Sequence, residues 1–179
     1  MPCARTATLM RVSTTQPPAS RVVGNLVFFD WWVRLQERVE RASTKTRTWL
    51  LGVCITLGVA ARLWAQTLPG NWDFGQWMNV STAVVEGVDP YTEFGYNYPP
   101  PWLFTLVGFQ SITETPASFR LLISLLLIAA DIGIVLLLVH RGYTLAACLF
   151  ILSPITIAIS GQHQQVEGIA VVLALAAMT

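Results

Sequence analysis

The chain has 179 residues, of which 54% are hydrophobic and 12% charged, with a formal net charge of +1 and a mean hydropathy of +0.55. Soluble domains carry about a quarter charged residues, so this composition excludes an ordinary soluble domain and describes an all-α, multi-pass membrane protein. The net charge says little about partners, and none of nucleic acid is expected; the distribution of charge says more.

Eight of the eleven basic residues (Arg5, Arg11, Arg21, Arg34, Arg38, Arg41, Lys45, Arg47) precede residue 49. None lies between Leu63 and Phe119, where Asp73, Glu86, Asp89, Glu93 and Glu114 all fall. The positive-inside rule therefore puts the N-terminus in the cytoplasm and the acidic stretch outside. Of the three cysteines, Cys3 is in the tail and Cys54 and Cys148 are in apolar segments, so no disulfide framework is read.

Residues 1–21 are rich in Ser, Thr, Pro and Arg without periodicity and are expected to be disordered. Residues 22–48 form an amphipathic juxtamembrane segment. Val23, Leu26, Val27, Trp31 and Leu35 share one helical face, with Arg34, Glu37, Arg38 and Arg41 on polar positions. That pattern suits a helix lying on the inner membrane surface, or a docking site for a cytoplasmic partner. The membrane glycosyltransferase domain discussed below would then run over 49–179, opening with a span at 49–68. Arg62 is that span's one charge. It either snorkels to the outer headgroups or meets a lipid phosphate, which a guanidinium binds well.

An outer loop follows over 69–118. Asp73 with Gln76 three residues later approximates a capping box and predicts a helix start. Phe74, Trp77, Met78 and Val84 lie on one face of that helix, and Gln76, Asn79 and Glu86 on another, so it should lie flat at the outer interface. Gly87, Asp89 and Pro90 close it, with Asp89 shaping the turn. The sequon Asn79-Val80-Ser81 is read as chance. Residues 99–112 are apolar but too short to span, since a bilayer needs about twenty. They predict a half-inserted helix entered through Tyr98-Pro99-Pro100. A second span is expected at 119–139, with Asp131 inside it and needing an interhelical partner. The basic hairpin His140-Arg141-Gly142 returns the chain through 143–159, where Pro154 should kink it. Residues 160–168 reach the outer face beside Asp73, and another apolar segment starts at 169.

An acid just after the first span, then E-G-V-D-P-Y at 86–91 and Y-N-Y-P-P at 96–100, resembles the first outer loop of the GT-C superfamily. These are integral-membrane glycosyltransferases that use polyprenyl-phosphate sugars. S-P-I-T-I-A-I-S-G-Q-H-Q-Q-V-E-G at 153–168 is similar to the segment after that family's third span, although the family often has an acid directly after Gln-x where this chain has His163-Gln164-Gln165. The resemblance covers about 49–178. It implies a GT-C-like helical bundle with an outer-face interfacial helix pair, of which this chain is the N-terminal part. It also implies a polyprenyl-phosphate-sugar donor, a lipid or glycan acceptor, and a hexose (mannose by similarity) transferred on the extracytoplasmic face. A bacterial plasma membrane is favoured over the endoplasmic reticulum.

On this reading Asp73 is the general base, because the acceptor hydroxyl must lose its proton as it attacks the anomeric carbon. Substrate contacts are expected from Arg62, Gln76, Asp89, Tyr98, Gln162, His163 and Gln164. Tyr91, Tyr96 and Tyr98 are interfacial aromatics that can also stack on sugar or isoprenoid. His163 and Glu167 stand four apart, too thin a set for a metal, and no cofactor is expected. Two rival classes remain: a transporter or channel segment, which should show internal repeats and mid-membrane polar residues, and a non-catalytic scaffold subunit, which needs no outer polar cluster.

Overall fold

The computed structural model describes residues 19–69 and 72–178, with side chains from Asp30 onward apart from that of Trp72. Up to residue 18, the tail expected to be disordered lies outside the described residues. Every regular element described is helical. The chain divides into two units, Met1–Leu35 and Gln36–Thr179. Helix α1 (Ala19–Arg41) supplies the described part of the first unit and, with its last residues, opens the second. Trp31 on it is 57% exposed.

The second unit begins with a polar clasp. The Glu40 carboxylate accepts from Thr144 N at 2.7 Å and from Arg47 Nη1 at 2.6 Å, and Gln36 Nε2 donates to Gly142 O at 2.9 Å. Tyr143, the N-cap of α7 (Thr144–Leu152), makes no side-chain cap bond. Glu40 fills that place with a negative charge at the helix's positive end. Burial works against the Glu40 charge, but the Thr144 and Arg47 bonds outweigh it and hold the carboxyl below its ordinary value.

Helix α2 (Thr44–Ala65) starts earlier than residue 49 because Ser43 caps it, accepting from Thr46 N at 3.2 Å. Lys45 and Arg47 therefore sit in its first turn rather than in a juxtamembrane linker. Helix α6 (Pro116–His140) opens on a reciprocal capping box between Thr115 and Ser118, with Pro116 at its first position. At 22 and 25 residues, α2 and α6 measure about 33 and 37 Å at 1.5 Å per residue. Both are long and apolar enough to cross a membrane. Helices α7 and α8 (Pro154–Ile157), the latter continuing into a π-helical segment (Ala158–His163), pass the same test only as a pair bent by 50°. The bend sits where Pro154 predicts it. Pro154 has no N–H to give Phe150 O, which instead accepts from Ser153 N at 3.2 Å and Thr156 Oγ1 at 2.7 Å.

Between α2 and α6 the chain makes α3 (Trp72–Val85), a short α4 (Pro90–Glu93) and α5 (Pro100–Ile112). With 13 residues, α5 is about 20 Å long, too short to cross. Trp77 and Val80 of α3, Tyr96, Trp102, Leu103 and Leu106 pack on Phe119, Ile123 and Leu127 of α6 to form one core. A second core, Cys54, Val135, Ala147, Cys148 and Ile151, joins α2, α6 and α7. Small residues let α2 and α7 approach closely; a Cβ on Gly58 would stand 2.6 Å from Ile151 O. Last comes α9 (Glu167–Ala177), eleven residues packed on α6.

Gly58→Ala is expected to lower stability by about 1–3 kcal/mol, because backbone rather than a flexible side chain must give way. Gly52→Ala on the same helix, where a Cβ meets nothing within 4 Å, should leave stability equal or higher. Thermal unfolding of both variants in detergent, followed by circular dichroism, checks the contrast.

Candidate functional site

Most chemistry-bearing residues gather where α2 ends and α3, α6 and α9 begin. Arg62 lies just beneath this end, and its position corrects the expectation that it either snorkels or holds a substrate phosphate. Its side chain is fully buried. Nε donates to Asp131 Oδ2 at 2.8 Å and to Ser160 Oγ at 3.0 Å. Nη1 donates to Gly58 O at 3.0 Å and Ile151 O at 2.6 Å, and Nη2 to Thr156 Oγ1 at 3.0 Å. The helix break explains the address. Beyond Ser153 the helix does not continue straight, and Arg62 supplies a donor to the Ile151 carbonyl in the last turn of α7. Asp131 finds here the interhelical partner that a carboxylate inside a span requires, and it also accepts from Ser160 Oγ at 2.7 Å. Fully buried, and with all but one of its N–H groups bonded within the fold, Arg62 has no exposed face among the described residues.

Arg120 is the cation that does stand among the polar residues, and the sequence reading passed over it. It follows directly on the basic-free stretch, at the head of an apolar span; a lone Arg there, opposite five acids, was the available signal. Its Nη1 donates to Leu68 O at 2.7 Å and its Nη2 to Gln162 O at 3.2 Å. The guanidinium carbon lies 5.3 Å from the centroid of the Phe74 ring, a cation–π distance. Its Nε is buried without a partner. One side chain thus ties together the ends of α2, α3, α6 and the π segment.

Gln164 is also placed by burial. It ends the π segment in the left-handed region, with φ 58° and ψ 38°, a conformation that costs a non-glycine residue roughly 1–2 kcal/mol. Its Nε2 donates to Arg120 O at 3.0 Å and Ser124 Oγ at 2.7 Å, which fixes the turn against α6. Gln164 is fully buried and belongs to the frame of the site; its Oε1 has no partner. The left-handed turn also breaks the helical register between His163 and Glu167, so these exposed residues do not share one helical face.

Asp73 and Glu167 both bear electrostatically on Tyr98. Asp73 lies in the first turn of α3, which begins at Trp72, so it is inside the helix rather than its N-cap. Glu167 opens α9. Burial first, then the negative charges of Asp73 and Glu167, push the Tyr98 phenol above its ordinary value. Two acids far apart in the chain therefore act on one half-buried hydroxyl. Tyr98 belongs to an aromatic run: its ring lies 5.8 Å from Trp77 and 5.6 Å from Tyr96, and Trp77 lies 5.2 Å from Trp102. Tyr96 is buried and its phenol too is pushed up, by burial first. Trp102 Nε1 and Tyr96 Oη are buried donors without acceptors.

Of the remaining expected contacts, Asp89 caps α4, its Oδ1 accepting from Tyr91 N at 3.0 Å. It is exposed and shapes the turn. Gln76 is half-buried on α3 beside a hollow it shares with Asn79. Gln162 is half-buried, with its carbonyl on Arg120. Among the described residues no group of three or more His, Cys, Asp or Glu side chains is arranged to hold a metal. No family model, curated protein or solved structure matches this chain.

Arg62→Met or Asp131→Leu alone should cost about 3–5 kcal/mol, because each leaves a buried charge uncompensated, while the double variant should recover most of that loss. Thermal melts of the three variants give the coupling. A second check addresses convergence. Asp73→Asn and Glu167→Gln should each lower the Tyr98 pKa, since removing a nearby negative charge makes the phenolate easier to form. Ultraviolet titration with the other tyrosines replaced by Phe reads it directly.

Proposed function

We propose that this chain is part of a membrane glycosyltransferase that moves a hexose, mannose by resemblance, from a polyprenyl-phosphate sugar to an acceptor hydroxyl. What supports the reading is that Arg120 lies 5.3 Å from the ring of Phe74, the neighbour of Asp73 in the first turn of α3, and that the charges of Asp73 and Glu167 both bear on the Tyr98 phenol. A carboxylate base, a neighbouring cation and neutral hydrogen-bonding groups are what such a displacement requires. Asp73 takes the proton from the acceptor hydroxyl as its oxygen attacks the anomeric carbon. The bond from that carbon to the phosphate oxygen breaks, and the electron pair leaves with the polyprenyl phosphate. Attack opposite the departing group inverts the anomeric centre.

Arg120 takes the phosphate-facing role first expected of Arg62, because it combines a positive charge with a place among the site residues. The departing phosphate gains negative charge, and a positioned cation stabilises that change more than it stabilises the bound donor. Gln162, half-buried, and His163, exposed, border the same site from the π segment. The concentration of basic residues ahead of residue 49 supports an N-terminus in the cytoplasm and this site on the extracytoplasmic face, and the resemblance favours a bacterial plasma membrane over the endoplasmic reticulum.

A transport segment is the second reading, favoured by the broken α7–α8 pair with a buried ion pair beside it, features that mark ion pathways in transporters. The pairing of Arg62 with Asp131 and its four further acceptors argues against it, since both charges of the pair are already engaged within the fold.

Asp73→Asn is expected to cut sugar transfer by about 10²-fold or more. Loss of a first-turn carboxylate should cost the fold only about 0.3–1 kcal/mol. Transfer from a radiolabelled polyprenyl-phosphate mannose in membranes carrying the protein, with a parallel melt, measures both. Transfer at the parental rate by a folded Asp73→Asn protein overturns the base assignment.

A further inference from the structure

We propose that the hollow between α3 and the α4–α5 connection is a subsite for a neutral sugar ring, so that the acceptor is a glycan; this rests on the glycosyltransferase reading. The hollow is lined by Gly75, Gln76, Asn79 and Phe94 and has a volume of about 380 Å³, within the roughly 300–1,000 Å³ usual for small-ligand sites. None of these residues is charged. Gln76 and Asn79 stand three apart on α3 and so are neighbours on its surface. Each amide offers both a carbonyl acceptor and N–H donors, the two functions that a ring hydroxyl uses. Phe94 is 42% exposed and presents a ring whose negative face suits the C–H side of a sugar.

Gly75 supplies the space. A Cβ built on it would meet nothing within 4 Å, so packing does not require glycine there, and glycine weakens a helix interior. Gly52 and Gly108 are equally open, but they lie in the apolar helices α2 and α5, where glycine is common in membrane sequences. In α3, whose face here carries amides, the missing side chain leaves the floor of the hollow clear.

Charge and polarity select the occupant. Asp73, one turn before Gln76, disfavours an anionic group nearby. The Gln76 and Asn79 amides line the hollow with both donors and acceptors. An oxygen-rich ring complements that chemistry, and a hydrocarbon chain does not. The acceptor's sugar would then sit within a helical turn of the base that must deprotonate it.

The test uses the whole chain in detergent with methyl α-D-mannopyranoside as probe, followed by saturation-transfer NMR titration, with tetramethylammonium and decanol as cationic and apolar controls. The parent protein should bind the mannoside saturably and neither control at that site. Gly75→Leu, which fills the hollow, should weaken binding by about tenfold or more while melting at the parental temperature or higher. Phe94→Ala, a change at an exposed position, should weaken binding by a similar factor and covers the case in which Gly75→Leu fails to fold. Absence of saturable binding to the parent, parental binding by a folded Gly75→Leu or by Phe94→Ala, or displacement of the mannoside by decanol, overturns the proposal. Asp73→Asn separates it from the catalytic reading. Lost transfer in Asp73→Asn with parental binding and transfer in Gly75→Leu removes the subsite alone. Parental transfer in Asp73→Asn with lost binding in Gly75→Leu removes the base alone.

Discussion

The buried guanidinium of Arg62 is the constraint around which the second unit is built. Taking an ion of this kind out of water costs several kcal/mol even after relaxation, and the cost is offset only when a counter-charge and hydrogen bonds are all in place. Here Asp131 supplies the charge from α6, and acceptors come from α2 itself, α7, α8 and the π segment. Several other features follow from that arrangement. The α7–α8 break leaves Ile151 O for Arg62. A Cβ on Gly161 would stand 3.1 Å from the Arg62 Cα, and one on Gly168 3.4 Å from Asp131 Oδ1, so small residues line the paths by which the π segment and α9 come close. At Gly161 the added atom would press on the backbone of Arg62 itself.

The network also sets the frame of the candidate site, one layer further out. By fixing the π segment it places the Gln162 carbonyl on Arg120 and turns Gln164 onto α6. The chain is thereby delivered to Glu167 at the head of α9, whose charge bears on the Tyr98 phenol. From the other side, the aromatic core under α3 holds Trp77 and Tyr98 against each other and brings Asp73 to the same phenol. The charges of the candidate site and the charges that hold the core are thus separated in depth: Asp131 and Arg62 neutralise each other inside, while Asp73, Glu167 and Arg120 lie toward the ends of the helices.

Several elements were legible because their causes are local. The runs that became α2 and α6 are apolar over enough residues to be read by length alone, the prolines before α5 mark its start, and Pro154 marks the bend. Asp131 was legible as a residue in need of a partner, since a carboxylate inside an apolar helix must have one. What misled was treating Arg62 by its distance from the end of the helix. An arginine side chain leans back toward the N-terminus of its helix, so a residue near the end reaches inward rather than out. Asp73 and Gln76 resembled a capping box, yet the helix had already begun at Trp72, and only backbone geometry separates the two.

Alone, the sequence determined the all-helical class, the two helices able to cross a membrane, the short helix between them, the bend at Pro154 and the existence of an acidic stretch free of Lys and Arg. Those follow from composition over a dozen or more residues, or from the fixed geometry of one proline. The tertiary structure decided which charges meet. It paired Arg62 with Asp131, set Arg120 over Phe74, turned Gln164 left-handed and brought the charges of Asp73 and Glu167 to bear on Tyr98. Each of those pairings depends on the rotational phase of two helices packed at a given depth, and that phase is fixed by where glycines permit close approach and where aromatic side chains fill the gaps. No local pattern in the chain encodes it.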